Sequence, residues 1–383
     1  MSDGERYRVA FLDWLACATA GAREPAARAA RAAGDGLLER VAAAGCAGHV
    51  LDYDDTYTPG LVHASAPAAP VALLAAADLG HDLGAVLTAF EAGFEATAAL
   101  ARASHPALYE RGWHSTAVCG AVGASAAAAR LLDLDAEATG NAAALALLHA
   151  GGLRAAFGSD GKAIQVGGAA AAGLHAARLA AAGARAPLDA VSRGPAGFEQ
   201  AFGGRWAVPG GDPAVRQNWI KAYPCCLATH SPIEAALEVS GQGALPARIT
   251  VRVHPIARQA AVHDDASDPL QAKFSIPYLT AFALLHGAPG VVSFTAVDSD
   301  ARALARRSVL LELDATLGEM EAVIEDGGDR LARVETALGS PARPMNAERL
   351  GAKVRELAGD RLAGVLDDAA TPARAVATAA GLG

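Results

Sequence analysis

The sequence predicts a mainly α-helical fold, made of a large all-helical domain and a smaller α+β domain. Hydrophobic residues make up 52% of its 383 residues but aromatic residues only 5%, so alanine and glycine supply the apolar excess, and helices packed through small side chains are expected. The alternation of apolar and polar residues that is typical of strands begins only beyond residue 240. We expect the helical domain to span residues 1–223, completed by 345–383, and the α+β domain to span 224–344.

Apolar residues recur at helical spacing from Arg8 to Ala20. Gly21 and Pro25 end the first helix, and Pro67 opens a region of two or three helices whose apolar stripe includes Phe90 and Phe94. The predicted helices cover residues 8–20, a second stretch that ends near 44, 67–103, 115–132 and 162–182.

The strand candidates lie in the second part of the chain. Residues 249–253 and 309–313 alternate apolar with polar side chains, and residues 325–328 join two further short strands as a hairpin turn. An apolar helix is expected to end near His286, and Asn346 is placed to cap a helix that packs back on the first domain.

Composition excludes several classes of function. The net charge is −9, and the lysines and arginines are too scattered to follow a phosphate backbone, so we expect no nucleic-acid partner. The five cysteines are dispersed, no export signal opens the chain, and the apolar runs are too short to span a bilayer; we therefore expect a cytoplasmic protein without a membrane partner. There is no Cys-x-x-Cys or His-Glu-x-x-His pattern, so no metal site is predicted.

A dense polar group follows the second helical stretch. Asp52, Asp54, Asp55, Thr56 and His63 lie close together in an otherwise apolar region. The same aspartates also fit the Asp-x-Asp-x-Thr pattern of haloacid-dehalogenase-type phosphatases. Because the preceding residues are alanine and glycine rather than a β-branched strand, that alternative is disfavoured. Helix capping would explain one or two of these residues but not all five.

A glycine-punctuated stretch, residues 151–172, carries Lys162 just before a helix that begins with glycine and alanine. Gly158 and Gly161 permit backbone conformations that other residues avoid, and the unpaired amides at a helix start favour an anion. A phosphate loop would need a glycine where the chain has Ala156 and a hydroxyl after the lysine. The stretch therefore indicates a site for a small carboxylate; the alternative is a surface lysine in a loop.

Two further stretches combine chemically active side chains. Residues 105–117 contain Tyr109 and His114, with His114 just before a helix start. Residues 218–232 place a cation, a phenol and an imidazole around a proline turn, namely Lys221, Tyr223 and His230. An isolated histidine is more often structural than catalytic, so each stretch alone leaves both interpretations open.

Six motifs, taken together, resemble the MmgE/PrpD family, which includes 2-methylcitrate dehydratase, cis-aconitate decarboxylase and iminodisuccinate epimerase. They follow one another in the family's order and cover most of the chain. In this sequence they are residues 12–21, Asp52-Tyr-Asp-Asp-Thr56 with His63, residues 112–117, residues 158–162, Tyr223-Pro-Cys with His230, and residues 273–278.

The resemblance implies an active site in the cleft between a helical domain and an α+β lid domain, a homodimer, and chemistry without a metal or organic cofactor. The N-terminal part is shorter than is usual for the family, and Gln165 stands where many members have histidine. Glutamine cannot titrate, so a route that uses that histidine as an acid is not open here. The candidate catalytic residues are Lys162, His114, Tyr109, Asp52 and His230, and the candidate substrate-binding residues are Thr56, His63, Arg154, Gln165, Lys221 and Tyr278.

The family's substrates are small polycarboxylates, and their shared step develops negative charge on a carbon next to a carboxylate, which cations stabilise. We expect Lys162 and His114 to handle a proton and Tyr109 to act as acid or base on the opposite face. Loss of water or carbon dioxide is the first hypothesis. Epimerisation next to a carboxylate is the alternative, and a non-catalytic binding protein is a third.

Overall fold

The computed structural model describes residues 1–242 and 247–383, and helices account for most of them. The predicted mainly α fold with a smaller α+β part is confirmed. The helices are α1 Asp3–Gly21, α2 Pro25–Ala32, α3 Leu37–Val50, α4 Ser65–Leu79, α5 Leu83–Ser104, α6 Ala107–Glu110, α7 Ser115–Leu131, α8 Ala136–His149, α9 Asp160–Ala181, α10 Leu188–Arg193, α11 Phe198–Phe202, α12 His230–Ser240, α13 Pro255–Ala260, α14 Pro269–Ala272, α15 Ile276–His286, α16 Ser299–Ser308, α17 Ala347–Ala358 and α18 Ala373–Ala379.

Six strands form two sheets in the described part of the chain. A four-stranded sheet has the order β4-β3-β5-β6, in which β3 pairs parallel with β4 and antiparallel with β5. A two-stranded ribbon, β1 with β2, was not predicted, because two residues are too short to show a strand pattern. The strands are β1 Thr56–Tyr57, β2 Asn218–Trp219, β3 Ile249–Val253, β4 Val309–Leu313, β5 Ala322–Asp326 and β6 Asp329–Val334.

The buried apolar residues form two main clusters. The larger one draws on residues 7–215 and on the C-terminal residues 357–380, so α17 and α18 pack against the N-terminal helices. The smaller one is built mainly from residues 223–334 and includes one face of the four-stranded sheet. The domain boundaries themselves, at 223 and 345, stay predictions.

Two local expectations differ from the structure. The stretch predicted as one helix ending near residue 44 is two helices, α2 and α3, separated by a turn that contains Gly34 and Gly36. Gly158 has the expected left-handed φ of 80°, but Gly161 does not, because it already lies in the first turn of α9 together with Lys162. Lys162 therefore projects from a helix rather than from a loop.

One helix, α5, is long and apolar enough to cross a membrane by length and composition alone. In its most apolar window 56% of the residues are buried inside the protein, where α5 packs chiefly on α7. That is the environment of a core helix.

Close approach of two helices fixes the position of the site. A Cβ atom on Gly167 of α9 would overlap the carbonyl oxygen of Ala42, and one on Gly45 of α3 would lie 3.0 Å from Cα of Gly167. The two backbones therefore touch, which only glycine allows. The C-terminal end of α3 lies beside the N-terminal end of α9, and this brings His49 to Lys162.

We predict opposite effects for two adjacent glycine substitutions. Gly167→Ala inserts a methyl group into the α3–α9 contact and should destabilise the protein by about 1–3 kcal/mol. Gly168→Ala is the matched control: nothing lies within 4 Å of the position that its Cβ would take, and the gain in helix propensity should stabilise the protein by about 0.5–1 kcal/mol. Urea unfolding measures both, and equal effects would contradict the close contact.

Candidate active site

A cleft between the two apolar clusters contains most of the predicted site residues. Its empty volume, mouth included, is about 550 Å³. Residues of the helical part form one wall, and the segment around Cys226, with α13 and Phe274, forms the other. The predicted residues that line it are Asp52, Thr56, His63, Tyr109, His114, Lys162 and Lys221.

Asp52 is the centre of the charged groups in this cleft. Its Oδ1 accepts from Nζ of Lys162 at 2.9 Å and from Nζ of Lys221 at 3.1 Å. Burial opposes ionisation of this carboxyl, but the two ammonium groups outweigh it and hold the pKa of Asp52 well below its usual range. Burial likewise opposes the charge of Lys221, yet Asp52 raises its pKa above the ordinary value. The cleft wall therefore carries a fixed carboxylate held between two cations.

His49 is a site residue that the sequence reasoning missed. Its Nε2 lies 2.7 Å from Nζ of Lys162, and its Nδ1 lies 2.8 Å from Oδ2 of Asp54. Because the lysine donates to Nε2, Nδ1 carries the proton and donates to Asp54. Burial lowers the pKa of His49, in keeping with a neutral ring. Its position three residues before Asp52, on the last turn of α3, was the available signal.

Two more imidazoles stand beside His49. The ring of His63 is 4.4 Å away and that of His114 is 6.0 Å away, centroid to centroid. Burial lowers the pKa of His63 to about 3 and the pKa of His114 well below its usual value, with Lys162 adding to the latter shift. All three rings are thus neutral near pH 7.

Gln165 sets the tautomer of His114. Its Oε1 lies 3.0 Å from Nδ1 of His114, so Nδ1 donates and Nε2 keeps its lone pair. His114 is the N-cap residue of α7, the helix start that the sequence indicated. Gln165 does not itself line the cleft, and its contact is with the ring of His114.

Tyr109 lines the cleft with its ring against Arg154. The guanidinium carbon of Arg154 is 4.4 Å from the ring centroid, and Nη1 of Arg154 donates to the carbonyl of Gln259 at 2.6 Å. Burial raises the pKa of Tyr109 above its ordinary value, although Arg154 opposes this. The side chain is therefore a phenol, able to donate a proton, and Arg154 supports it from outside the cleft lining.

Four predicted site residues do not line the cleft: Arg154 and Gln165, described above, and His230 and Tyr278. His230 is fully buried, packs its ring against Tyr223 and faces the carbonyl of Cys225 at 3.3 Å instead of the cleft. Burial lowers its pKa to about 3. The hydroxyl of Tyr278 accepts from the backbone N–H of Asp298 at 3.0 Å, within the smaller apolar cluster. Sequence proximity to the motifs did not reveal that both side chains point into packed interior.

Four polar atoms of the residues that line the cleft lack a hydrogen-bond partner within residues 1–242 and 247–383. They are Oδ2 of Asp52, Oγ1 of Thr56, Nδ1 of His63 and Nε2 of His114. Buried polar atoms are normally hydrogen-bonded, and those that are not mark places where a polar ligand or water binds. The cleft thus presents acceptors and a hydroxyl next to the ammonium groups of Lys162 and Lys221.

The imidazoles of His49 and His63 and the carboxylate of Asp54 also have the geometry of a metal-binding group. One potential ligand atom from each lies within 4.8 Å of the others. The same atoms are already in contact with one another: Oδ2 of Asp54 lies 2.8 Å from Nδ1 of His49 and 3.1 Å from Nδ1 of His63. The arrangement is accounted for by a carboxylate that is hydrogen-bonded to His49 and lies beside the ring of His63.

Asp55 anchors the loop that carries Asp52. Its Oδ2 accepts from Oγ of Ser65 at 2.5 Å and from Nδ2 of Asn218 at 2.6 Å, so it joins the loop to the start of α4 and to β2. Burial raises the pKa of Asp55 to about 7, although both hydrogen bonds oppose the shift. This carboxyl is structural, and Asp55 is not among the residues that line the cleft.

Comparison with known proteins identifies relatives over nearly the whole chain. The model of the MmgE/PrpD N-terminal domain matches residues 38–208, and that of the MmgE/PrpD C-terminal domain matches residues 223–374. The cis-aconitate decarboxylase of Mus musculus is 28% identical over 351 residues, covering 81% of this chain and 70% of the relative. That of Homo sapiens is 27% identical over 349 residues, and that of Aspergillus terreus is 28% identical over 278 residues, covering 62% of this chain and 56% of the relative.

The titration of Asp55 predicts a pH dependence of stability. Between pH 4 and about 7 the folded protein keeps a proton that the unfolded chain has released, so raising the pH through this window should lower the free energy of unfolding. Asp55→Asn removes this contribution. We expect the stability of the natural protein relative to Asp55→Asn to fall by up to about 1.4 kcal/mol per pH unit.

Urea unfolding at half-unit steps of pH measures that difference. Asp35→Asn, a change at an exposed carboxylate, is the control and should show a nearly constant difference. A constant difference for Asp55→Asn as well would contradict the assignment.

Proposed function

Because the chain belongs to the MmgE/PrpD family, we propose that it is a lyase that removes carbon dioxide or water from a small polycarboxylate bound in this cleft. The relatives from mouse, human and Aspergillus terreus are cis-aconitate decarboxylases, which favours decarboxylation within this class. We propose that the reaction needs no metal or organic cofactor. The homodimer and the cytoplasmic location stay predictions.

The observation that carries this proposal is the pairing of two buried ammonium groups with unpartnered polar atoms on one cleft wall. Lys162, Lys221 and Asp52 together carry one net positive charge, which attracts a substrate carboxylate, and Thr56 offers a hydroxyl. Nζ of Lys221 already donates to Asp52 and to the carbonyl of Cys225, so Lys162 is the lysine that can donate directly to the substrate. In a buried site these charges act through a low dielectric, where they stabilise developing negative charge more than they would in water.

The protonation states of the side chains suit both decarboxylation and dehydration. In decarboxylation the carbon–carboxylate bond breaks, carbon dioxide leaves, and the electron pair stays on carbon until an acid protonates it; the Lys162 ammonium and the Tyr109 phenol both carry a proton. In dehydration Nε2 of neutral His114 takes the proton next to the carboxylate, and one of the two acids protonates the departing hydroxyl.

His49 supports Lys162 in this scheme. When Lys162 gives up a proton, Nε2 of His49, 2.7 Å away, holds the amine in place, while Asp54 keeps the ring in the required tautomer. The pair thus maintains the direction of Nζ through the reaction.

Epimerisation next to a carboxylate is the second candidate. One observation favours it: an acceptor, Nε2 of His114, and a donor, the phenol of Tyr109, line the same cleft. Such a pair can take a proton from one side of a carbon and return it on another.

Proton NMR in heavy water distinguishes the candidates. The purified protein, dialysed against EDTA, is incubated with a pool of cis-aconitate, citrate, tartrate and iminodisuccinate. We expect new vinylic signals from a lyase product, with carbon dioxide release if the reaction is a decarboxylation. Loss of a signal next to a carboxylate without a new species would instead support an epimerase, and activity lost with EDTA and restored by a metal would contradict cofactor independence. Silence throughout, with thermal stabilisation by a pool member, would support a binding protein.

Substitution of Lys162 tests its part in proton transfer. We expect Lys162→Ala to lower kcat by roughly 10² to 10⁴, since both an acid and a transition-state cation are lost. Asp160→Asn, in the same helical turn but exposed, is the control and should leave kcat unchanged. A raised KM with an unchanged kcat would mean that Lys162 only binds the substrate.

A further inference from the structure

The protein has only four lysines among its 32 lysine and arginine residues, and all four are buried. Two of them, Lys162 and Lys221, belong to the cleft wall. The other two, Lys273 and Lys353, do not line the cleft, yet both reach the loop that carries Asp52. Among lysine and arginine residues of the described chain, every exposed one is an arginine. Lysine is confined to the surroundings of the loop that carries Asp52.

Three consecutive carbonyls of this loop each accept a hydrogen bond from a different lysine. Lys273 donates to the carbonyl of Leu51 at 2.6 Å, Lys221 to that of Asp52 at 2.9 Å, and Lys353 to that of Tyr53 at 2.8 Å. The donors come from three segments far apart in sequence. The backbone of the loop is therefore fixed residue by residue.

The loop needs such support because Asp52 has a left-handed backbone conformation, with φ of 52°. Residues other than glycine are uncommon in this conformation, which aspartate enters more readily than most, and it persists where the surrounding structure supports it. The conformation aims the carboxylate at Lys162 and Lys221, so a relaxed backbone would move Oδ1 away from both ammonium groups.

Of the two lysines that do not line the cleft, Lys353 is the one that also contacts an acidic side chain. Its Nζ also donates to the carbonyl of Lys221 at 3.0 Å, lies 3.9 Å from the ring centroid of Tyr53, and is 2.6 Å from Oδ1 of buried Asp13. It thereby ties the backbone of Lys221 to the backbone next to Asp52. The compact ammonium thus donates to two backbone carbonyls while its charge faces the carboxylate of Asp13.

We propose that Lys273 and Lys353 are positioning residues for the Asp52 centre, acting through the backbone of residues 51–53 and not on the substrate. This inference rests on the proposed function for its effect on turnover. Its geometric part, the placement of Asp52 between Lys162 and Lys221, is independent of the reaction.

The experiment separates positioning from stability. Lys353→Met alone leaves the carboxylate of Asp13 buried without its cation, which destabilises the fold, so lower activity would be ambiguous. The double variant Asp13→Asn/Lys353→Met removes both charges, and its thermal midpoint should return toward that of the natural protein. Asp13→Asn alone keeps the lysine on the carbonyls, and Arg349→Met, at an exposed position on the same helix, is the matched control.

Protein labelled with ¹³C-lysine provides a readout that needs no substrate, since only four lysine signals occur. In the double variant we expect the signals of Lys162 and Lys221 to be shifted from their positions in the natural protein, and kcat to be at least about tenfold lower than the natural value. In Asp13→Asn and in Arg349→Met we expect these signals and kcat to stay near their natural values. Recovery of the signals and of kcat together with the thermal midpoint would overturn the proposal. Absence of turnover in the natural protein would count against the proposed function alone, because the lysine signals would still report the position of Asp52.

Discussion

A buried carboxylate held between two ammonium groups is the interaction on which the site depends. Asp52 shares one oxygen between Lys162 and Lys221 in an almost fully buried position, and neither charge could be there without the other. Buried ion pairs are costly to desolvate, so they add little to stability unless further hydrogen bonds complete them. Here backbone carbonyls and an imidazole accept further hydrogen bonds from the lysines, and the result is a rigid group of charges facing the cleft.

The small side chains of the helical part make this placement possible. Contact of the α3 and α9 backbones at Gly45 and Gly167 leaves no room for a larger residue, and it sets the distance between His49 and Lys162 at the end of the same helix pair. The alanine and glycine content that first indicated the fold class is thus also a requirement of the chemistry. A core of leucine and phenylalanine would hold the same helices farther apart.

The sequence predicted the fold class, most strands and the residues Asp52, His114 and Lys162, because each of these is marked by local pattern or by the motif around it. It did not predict His49, whose role depends on a contact across 113 residues, nor the burial of His230 and Tyr278 away from the cleft. Direction of a side chain at a helix start depends on which helix packs beside it, and no local pattern contains that information. The same holds for Lys353, which lies 300 residues from the carbonyl that it binds.

Such separations have a consequence for the order in which the molecule assembles during synthesis. The helices around α3, α4, α5, α7 and α9 contact each other within the first half of the chain and can pack before the rest has been made. The loop at Asp52 must wait for donors that are 169, 222 and 300 residues away. A nascent chain that has not reached α17 can therefore have a folded helical core while the site around Asp52 is still unformed. This site is among the last parts of the protein to form.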